Sequence, residues 1–286
     1  MIIWLASYPK SGNTFLRTLL ASYLFTDDGI FDEKKLVKIN QFPDVSLFRN
    51  LGIDPSNDFE VVKNYIKVQE HINSKDLNAI RFVKTHSSLN DINGYKFTDL
   101  KNTLGVIYVV RDPRSVVRSY ANHNQLSLEF ATSRLLKFGA TIGGIKDSDF
   151  GSNQIVTHMG SWSSNYNTWK EFKKINSYLL IKYEDLVVDT RNTFLKVLNF
   201  IYKLGKSKFE INNNKLENTI KTTTFRSMQK LEKEKGFKEA VKNEKGEYIT
   251  FFKYGYNKNE KNILPQKLLT KINSKLKNEM KELNYL

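Results

Sequence analysis

The chain opens on five apolar residues, Ile2-Ile3-Trp4-Leu5-Ala6. An unbroken run of that kind predicts a strand buried on both faces. A polar stretch follows, and from Thr14 the apolar positions Phe15, Leu16, Leu19, Leu20, Tyr23 and Leu24 recur at helical spacing. Residues 104–110 carry the clearest strand signal and suit an interior parallel strand, and residues 79–84 and 178–183 predict two more. Beyond Val110, Asp112 has the form of an N-cap and Pro113 of a first helical residue, with Val116, Val117 and Tyr120 on the apolar side. Helices are also predicted over 60–71, 161–172, 193–202 and 264–285. In the last, Leu268, Leu269, Ile272, Leu276, Met280 and Leu283 form the buried stripe. In the helix over 161–172, Trp162, Tyr166 and Trp169 read as core. Strands alternating with helices predict an α/β fold of three layers, a mostly parallel central sheet flanked by helices, in one domain over residues 1–286.

The turn after the first strand carries charge. In Ser7-Tyr8-Pro9-Lys10-Ser11-Gly12-Asn13, Gly12 permits close backbone approach, the helix start offers N–H groups, and Lys10 adds a full positive charge. Together these make a cradle for phosphate. The spacing is not that of GxxxxGK[ST], whose lysine follows the second glycine. Lys10 precedes its glycine by two, which disfavours a generic ATPase or kinase. At the end of the strand over 79–84, Lys84 and His86 stand two residues apart and point the same way. Open parallel sheets place their chemistry at that carboxyl edge. Arg111, at the end of the strand over 104–110, offers a guanidinium fork suited to a phosphate dianion. His71 reads as a helix-end residue and His123 as structural or acceptor-facing.

Composition narrows the field. The 286 residues are 40% hydrophobic and 26% charged, ordinary for a globular protein, and no apolar run approaches the ~20 residues of a membrane span. There is no cysteine, hence no disulfide, thiolate nucleophile or cysteine metal site. A strand at residue 2 leaves no room for a leader peptide, so a cytoplasmic location is expected. The net charge of +15, from 45 basic and 30 acidic residues, suits an anionic partner or reflects lysine-rich composition. The lysines over 203–281 read mostly as a solvated face. With no arginine stripe interleaved with aromatics, nucleic acid is not an expected partner.

The octet Tyr8-Pro9-Lys10-Ser11-Gly12-Asn13-Thr14-Phe15 resembles the 5′-phosphosulfate loop, YPKSGTTW, of the sulfotransferases that use 3′-phosphoadenosine 5′-phosphosulfate (PAPS). Six of the eight positions match, and the asparagine form is similar to bacterial members. Lys84-Thr85-His86 stands intact as the family's KTH. Arg111 and Ser119 keep the eight-residue spacing of its 3′-phosphate motif, and Tyr183-Glu184-Asp185 resembles its YED element. Thr223 and Phe225 match its TSF segment. Phe251, Phe252, Lys253, Tyr254 and Gly255 resemble the start of its RKG loop, with Lys253 for arginine and Tyr254 for lysine. The GDWK that should follow is replaced by Gly255-Tyr256-Asn257-Lys258.

The resemblance implies a P-loop-like fold and transfer of a sulfuryl group from PAPS to a hydroxyl or amine, leaving 3′-phosphoadenosine 5′-phosphate (PAP). His86 is then the general base, and Lys10 and Lys84 stabilise the leaving phosphate. Tyr8, Pro9, Ser11, Gly12, Asn13, Thr14 and Phe15 belong to the 5′ loop, and Phe15 replaces the family tryptophan beside the adenine. Arg111 and Ser119 take the 3′-phosphate, Tyr183 lies beside the nucleotide, and Thr223 and Phe225 contact the adenine. Phe252, Lys253, Tyr254 and Gly255 form the lid. No metal is required, and Glu184 and Asp185, being adjacent, read as structural rather than metal-binding. The acceptor, whether a small molecule, a lipid or a saccharide hydroxyl, is set by residues 27–75 and 124–165, where 124–160 reads as partly helical followed by a mobile loop. Two rivals stand beside this reading. A kinase using ATP and Mg²⁺ would find a Ser after the lysine, in Ser11, but needs an acidic strand end where Arg111 stands. A non-catalytic PAP- or nucleic-acid-binding relative would have no need of both Lys10 and His86.

Overall fold

Alternate side chains of β1 (Ile2–Ala6) enter two different cores, which is why all five of its residues are buried. Ile2, Trp4 and Ala6 pack on one face of the sheet, Ile3 and Leu5 on the other. The computed structural model describes residues 1–76, 78–144, 155–243, 245–255 and 264–286. β1 is the middle strand of a sheet ordered β2 (Asn40–Gln41), β3 (Arg81–Thr85), β1, β4 (Thr103–Val110), β7 (Tyr178–Lys182), and each neighbouring pair is parallel. β4 repeats the two-sided pattern, with Val106, Tyr108 and Val110 on the first face and Ile107 and Val109 on the second. A separate antiparallel pair joins β5 (Thr141–Ile142) to β6 (Thr157–His158).

Helices cover both faces, as the alternation of elements predicts. The first face carries α2 (Val45–Arg49), α3 (Asp58–Lys63), α4 (Tyr65–Ser74), α5 (Pro113–His123), α6 (Leu128–Leu136) and α7 (Trp162–Lys170). The terminal α12 (Gln266–Lys275) and α13 (Lys277–Glu282) complete that layer. The second face carries α1 (Asn13–Phe25), α8 (Tyr183–Val188), α9 (Thr190–Leu204), α10 (Asn213–Thr223) and α11 (Phe225–Lys235). Trp162, Tyr166 and Trp169 are core residues, as expected. Trp4 sits against the rings of Phe42, Phe97 and Trp169 and donates its indole N–H to Thr103 Oγ1 at 2.9 Å. Trp169 donates in turn to the Ser87 carbonyl at 2.8 Å, and Asn165 Nδ2 to the His86 carbonyl at 2.9 Å. One helix of the first layer therefore fixes the loop that follows β3.

Several boundaries depart from the sequence pattern. The helix expected over 60–71 is two helices, broken at Asn64, whose carboxamide donates to the Glu60 carbonyl at 2.7 Å. A short amide side chain competing for backbone groups is a common cause of such breaks. The terminal helix is also two, interrupted at Leu276, yet Leu268, Ile272, Leu276, Met280 and Leu283 stay buried. β2 has only two residues, both polar, so no apolar pattern announces it. The mobile loop read within 124–160 falls largely on 145–154, outside the described residues, as do residues 256–258 of the divergent segment.

From β1 the chain builds β2 and β3 on one side, then crosses to β4 and β7 on the other. That reversal at β1 opens a crevice at the carboxyl edge, where the loops after β1, β3, β4 and β7 all emerge.

Candidate active site

Between Ala6 and Asn13 the backbone must reverse to begin α1. It does so with Lys10 at φ 66° and Gly12 at φ 99°. A lysine in the left-handed region costs on the order of 1–3 kcal/mol, strain that concentrates at functional loops. Gly12 is required twice over, because a Cβ there would also lie 2.3 Å from Tyr183 Cδ2. Asn13 fastens the turn, its Nδ2 donating to the Leu5 carbonyl at 2.8 Å and to Ser7 Oγ at 3.1 Å. Among the described residues no side chain caps α1 and no acidic residue stands in its first turn. Its leading N–H groups thus give the loop a partial positive charge. α5 differs, since Asp112 caps it by accepting from the Arg114 N–H at 2.9 Å.

A cavity of about 2040 Å³ opens over these strand ends. Pro9, Lys10, Gly12, Asn13, Thr14 and Phe15 line it from the first loop, and Lys84 and His86 from the end of β3. Arg111, Ser119 and His123 come from the end of β4 and from α5, and Tyr183 from the start of α8. Thr223, Phe225, Phe251, Phe252 and Tyr254 close the far side.

The electrostatics follow from crowding. Burial, opposed by Glu239 and reinforced by Lys84 and Arg111, pushes the Lys10 ammonium down to about 7. Lys84 is lowered as well, mainly by burial. Burial and then Lys84 bring His86 down to about 3, so its imidazole is neutral at neutral pH. His86 Nδ1 lies 2.8 Å from the Ser7 carbonyl. A carbonyl only accepts, so Nδ1 carries the hydrogen and Nε2 is the basic nitrogen. His123 is lowered to about 3 by burial, Lys10 and Lys84. Lys10 Nζ sits 4.1 Å from the centre of the Phe251 ring.

Arg111 lies over the Tyr183 ring at 4.4 Å. Its neighbour Asp112 donates its N–H to Glu184 Oε1 at 3.0 Å, and Glu184 Oε2 accepts from the Tyr285 hydroxyl at 2.9 Å. Glu184 therefore has the structural part expected of it. Arg118 lies over Tyr254 at 3.8 Å, and Lys253 donates to Asn122 Oδ1 at 2.9 Å. These two contacts lay the segment around residue 254 against α5, the helix that bears Ser119.

Four residues singled out from the sequence do not put a side chain on the cavity wall. Tyr8 continues the alternation of Trp4 and Ala6 into the first core, where its hydroxyl donates to the Arg134 carbonyl at 3.4 Å. Ser11 Oγ is buried with no hydrogen-bond partner among the described residues. Lys253 is exposed and occupied with Asn122, and Gly255 packs on the Phe225 ring. Some wall residues have polar groups engaged within the fold, among them the Asn13 amide nitrogen as above and the Thr223 hydroxyl, which donates to the Thr219 carbonyl at 2.7 Å.

Sequence reasoning missed Arg17 and Glu239. Glu239 accepts from the Thr14 hydroxyl at 2.7 Å and from Arg17 Nη1. Burial alone would raise its carboxyl, but Lys84, Arg17 and the Thr14 bond hold it well below the usual range. The local signal that could have found Arg17 is a cation set amid Leu16, Leu19 and Leu20. Nothing flagged Glu239, which lies in the lysine-rich stretch read as solvated. Among the described residues no cluster of three or more His, Asp or Glu could hold a metal ion, and no helix is long and apolar enough to cross a membrane.

Residues 2–284 match the sulfotransferase domain family. Over 241 residues the chain is 26% identical to luciferin sulfotransferase of Photinus pyralis, covering 79% of this chain and 56% of that protein. The chain thus spans little more than half the length of that curated relative. A mouse sulfotransferase complexed with PAP superposes with a TM-score of 0.58 at 19% identity, over 98% of this chain and 84% of that one. Retinol dehydratase in a complex with retinol and PAP gives 0.59 at 14% identity, over 98% and 81%. At such identities the solved structures establish a shared fold.

Proposed function

Given that the chain belongs to the sulfotransferase domain family, we propose that it moves a sulfuryl group from PAPS to an acceptor hydroxyl or amine. The observation that carries this reading is the gathering of Lys10, Lys84 and Arg111 on the wall of one cavity, where burial first, and the neighbouring cations after it, bring Lys10 down to about 7. Like charges gathered in a low-dielectric space are costly unless an anion belongs among them. PAPS has anionic groups at two ends. The first loop, with the start of α1 and Lys10, suits the 5′ end, and Arg111 and Ser119 suit the 3′-phosphate. Phe15, Tyr183, Thr223 and Phe225 offer a largely aromatic wall for the purine between them.

In this reading the acceptor oxygen or nitrogen attacks sulfur in line with the bridging oxygen. The new bond to sulfur forms as the bond from sulfur to the bridging oxygen breaks, and that electron pair stays on the phosphate of PAP. The acceptor proton passes to His86 Nε2, which the Nδ1 bond to Ser7 keeps as the accepting nitrogen. Anionic charge entering the cavity raises the imidazole pKa from its low starting value, because a nearby negative charge favours the cation. General-base assistance of this kind is worth ~10²–10⁴-fold. Lys10 and Lys84 neutralise charge on the departing oxygen, where loss of one donor costs on the order of 10²–10³-fold. Tyr120, Leu126, Phe130 and Ile142 line another part of the cavity and suit the body of a small apolar acceptor.

The reading is tested with labelled PAPS and a panel of phenols, alcohols and amines, alongside thermal unfolding with PAP or with ATP and Mg²⁺. Labelled product and stabilisation by PAP without metal are expected. Stabilisation by ATP with Mg²⁺ but not by PAP would point to a kinase and end the proposal. The base assignment is tested by His86→Ala, expected to lose about 10²–10⁴-fold in turnover while still binding PAP. Near-normal turnover would remove His86 from that role.

A further inference from the structure

Thr14, the first residue after Asn13 in the uncapped start of α1, gives its hydroxyl to a carboxylate of the protein itself. Glu239 Oε2 accepts that bond at 2.7 Å, and Glu239 Oε1 pairs with Arg17 one turn further along the helix. We propose that Glu239 is a built-in competitor for the anionic end of the donor nucleotide, holding the Thr14 hydroxyl at the start of α1 and the Arg17 guanidinium behind it until PAPS or PAP displaces it. This inference rests on the PAPS reading of the same site and deepens it.

Three features carry the argument. The carboxylate lies on the wall of the same cavity as Lys10, Thr14, Lys84 and His86. Its oxygens use a hydroxyl and a guanidinium, the kinds of donor that a sulfate or phosphate oxygen would seek. The carboxylate also hangs from a backbone anchored through other residues, among them the buried Phe237 and the Val241 carbonyl, which accepts from the Ile249 N–H at 2.8 Å. Lys238 donates its N–H to Glu33 at 2.9 Å, and Phe237 is packed against Phe251 and Phe252. The backbone of Phe251 and Phe252 is held independently by Glu232, at 2.5 and 2.9 Å. The Glu239 side chain can therefore turn away from Thr14 while Phe237 and the aromatic pair stay in place. Arg17 keeps a second anchor when the carboxylate leaves, since its Nη2 also donates to the Ile39 carbonyl at 3.1 Å.

When a binding site is open only part of the time, apparent affinity falls by the open fraction. If Glu239 leaves the cradle about a tenth of the time, removing it tightens the ligand about tenfold. The experiment is calorimetric titration of PAP into the 286-residue chain, its Glu239→Gln variant and its Glu239→Asp variant. Glu239→Gln is expected to bind PAP about tenfold more tightly. Glu239→Asp keeps the charge but loses the reach to hold Thr14 and Arg17 together, and it is expected to tighten PAP as well. It also keeps a counter-charge for Arg17 and Lys84, so it carries the test if Glu239→Gln does not fold. Where the wild-type protein binds PAP, unchanged or weaker PAP binding in the variants overturns the proposal. Inorganic sulfate, titrated into the same proteins, separates this idea from the donor assignment. Tighter sulfate binding by Glu239→Gln, with PAP bound by none of the proteins, upholds the competitor and removes PAPS. Equal sulfate binding in all three overturns the competitor.

Discussion

Raising the pH should release PAP from this protein, with Lys10 as the cause. Burial, with Lys84 and Arg111 close by and Glu239 only partly compensating, holds its ammonium at about 7 against an ordinary 10.5. A polyanion beside it restores the charged form, so binding above that pH must take up a proton. By linkage, each unit above about pH 7 weakens PAP binding about tenfold, and at about pH 9 the affinity lies about 100-fold below its plateau. At the acid end the phosphate monoesters of PAP take up their second proton near pH ~6, which lowers the charge the cradle attracts. Affinity should therefore peak between about pH 6 and about pH 7. Titration calorimetry at constant ionic strength, in buffers of differing ionisation enthalpy, gives both the affinity and the proton uptake. Uptake should approach about one proton per PAP on the alkaline side. Lys10→Arg keeps its charge to above pH ~12 and should bind with a much flatter profile. A flat profile in the wild-type protein, or the same slope in Lys10→Arg, refutes the reasoning.

Arg111→Ala should weaken PAP at least about tenfold more than adenosine 5′-phosphosulfate, which lacks the 3′-phosphate; equal losses in the two titrations would detach Arg111 from that group. Asn13→Ala deletes the two hydrogen bonds that clip the loop to β1, and urea unfolding should show a loss of about 1–3 kcal/mol. Stability should also fall in mild acid. His86 and His123 stand at about 3 in the folded protein against an ordinary 6.5, so between those values the unfolded chain binds more protons. The contribution is complete above about pH 6.5 and is lost as the pH falls toward about 3. A urea midpoint higher at pH 5 than at pH 7 would contradict it.

Much of the scaffold was legible because its signals are local. A strand buried on both faces has no polar positions, so β1 and β4 stand out as unbroken apolar runs. The cap and first residue of α5, Asp112 and Pro113, announce themselves within two positions. The short motifs around Lys10, Lys84, Arg111 and Tyr183 each close a strand, and parallel strands deliver their ends to one edge. Local spacing misleads where a motif string hides direction. Tyr8 belongs to the octet that resembles a phosphosulfate loop, yet the alternation begun by Trp4 and Ala6 turns it into the core.

The amino-acid sequence by itself determined the α/β architecture, the parallel order implied by crossover helices, and the residue types at the carboxyl edge. It could do so because periodicity, capping and turn chemistry act over a few residues. Only the tertiary structure decided which charges meet. Glu239 reaches Thr14 and Arg17 across more than two hundred positions of chain, and Lys10 is brought down by burial and then by Lys84 and Arg111, which stand at the ends of β3 and β4. Coulomb energies depend on separation in space and on burial, and neither is written in the order of residues along the chain.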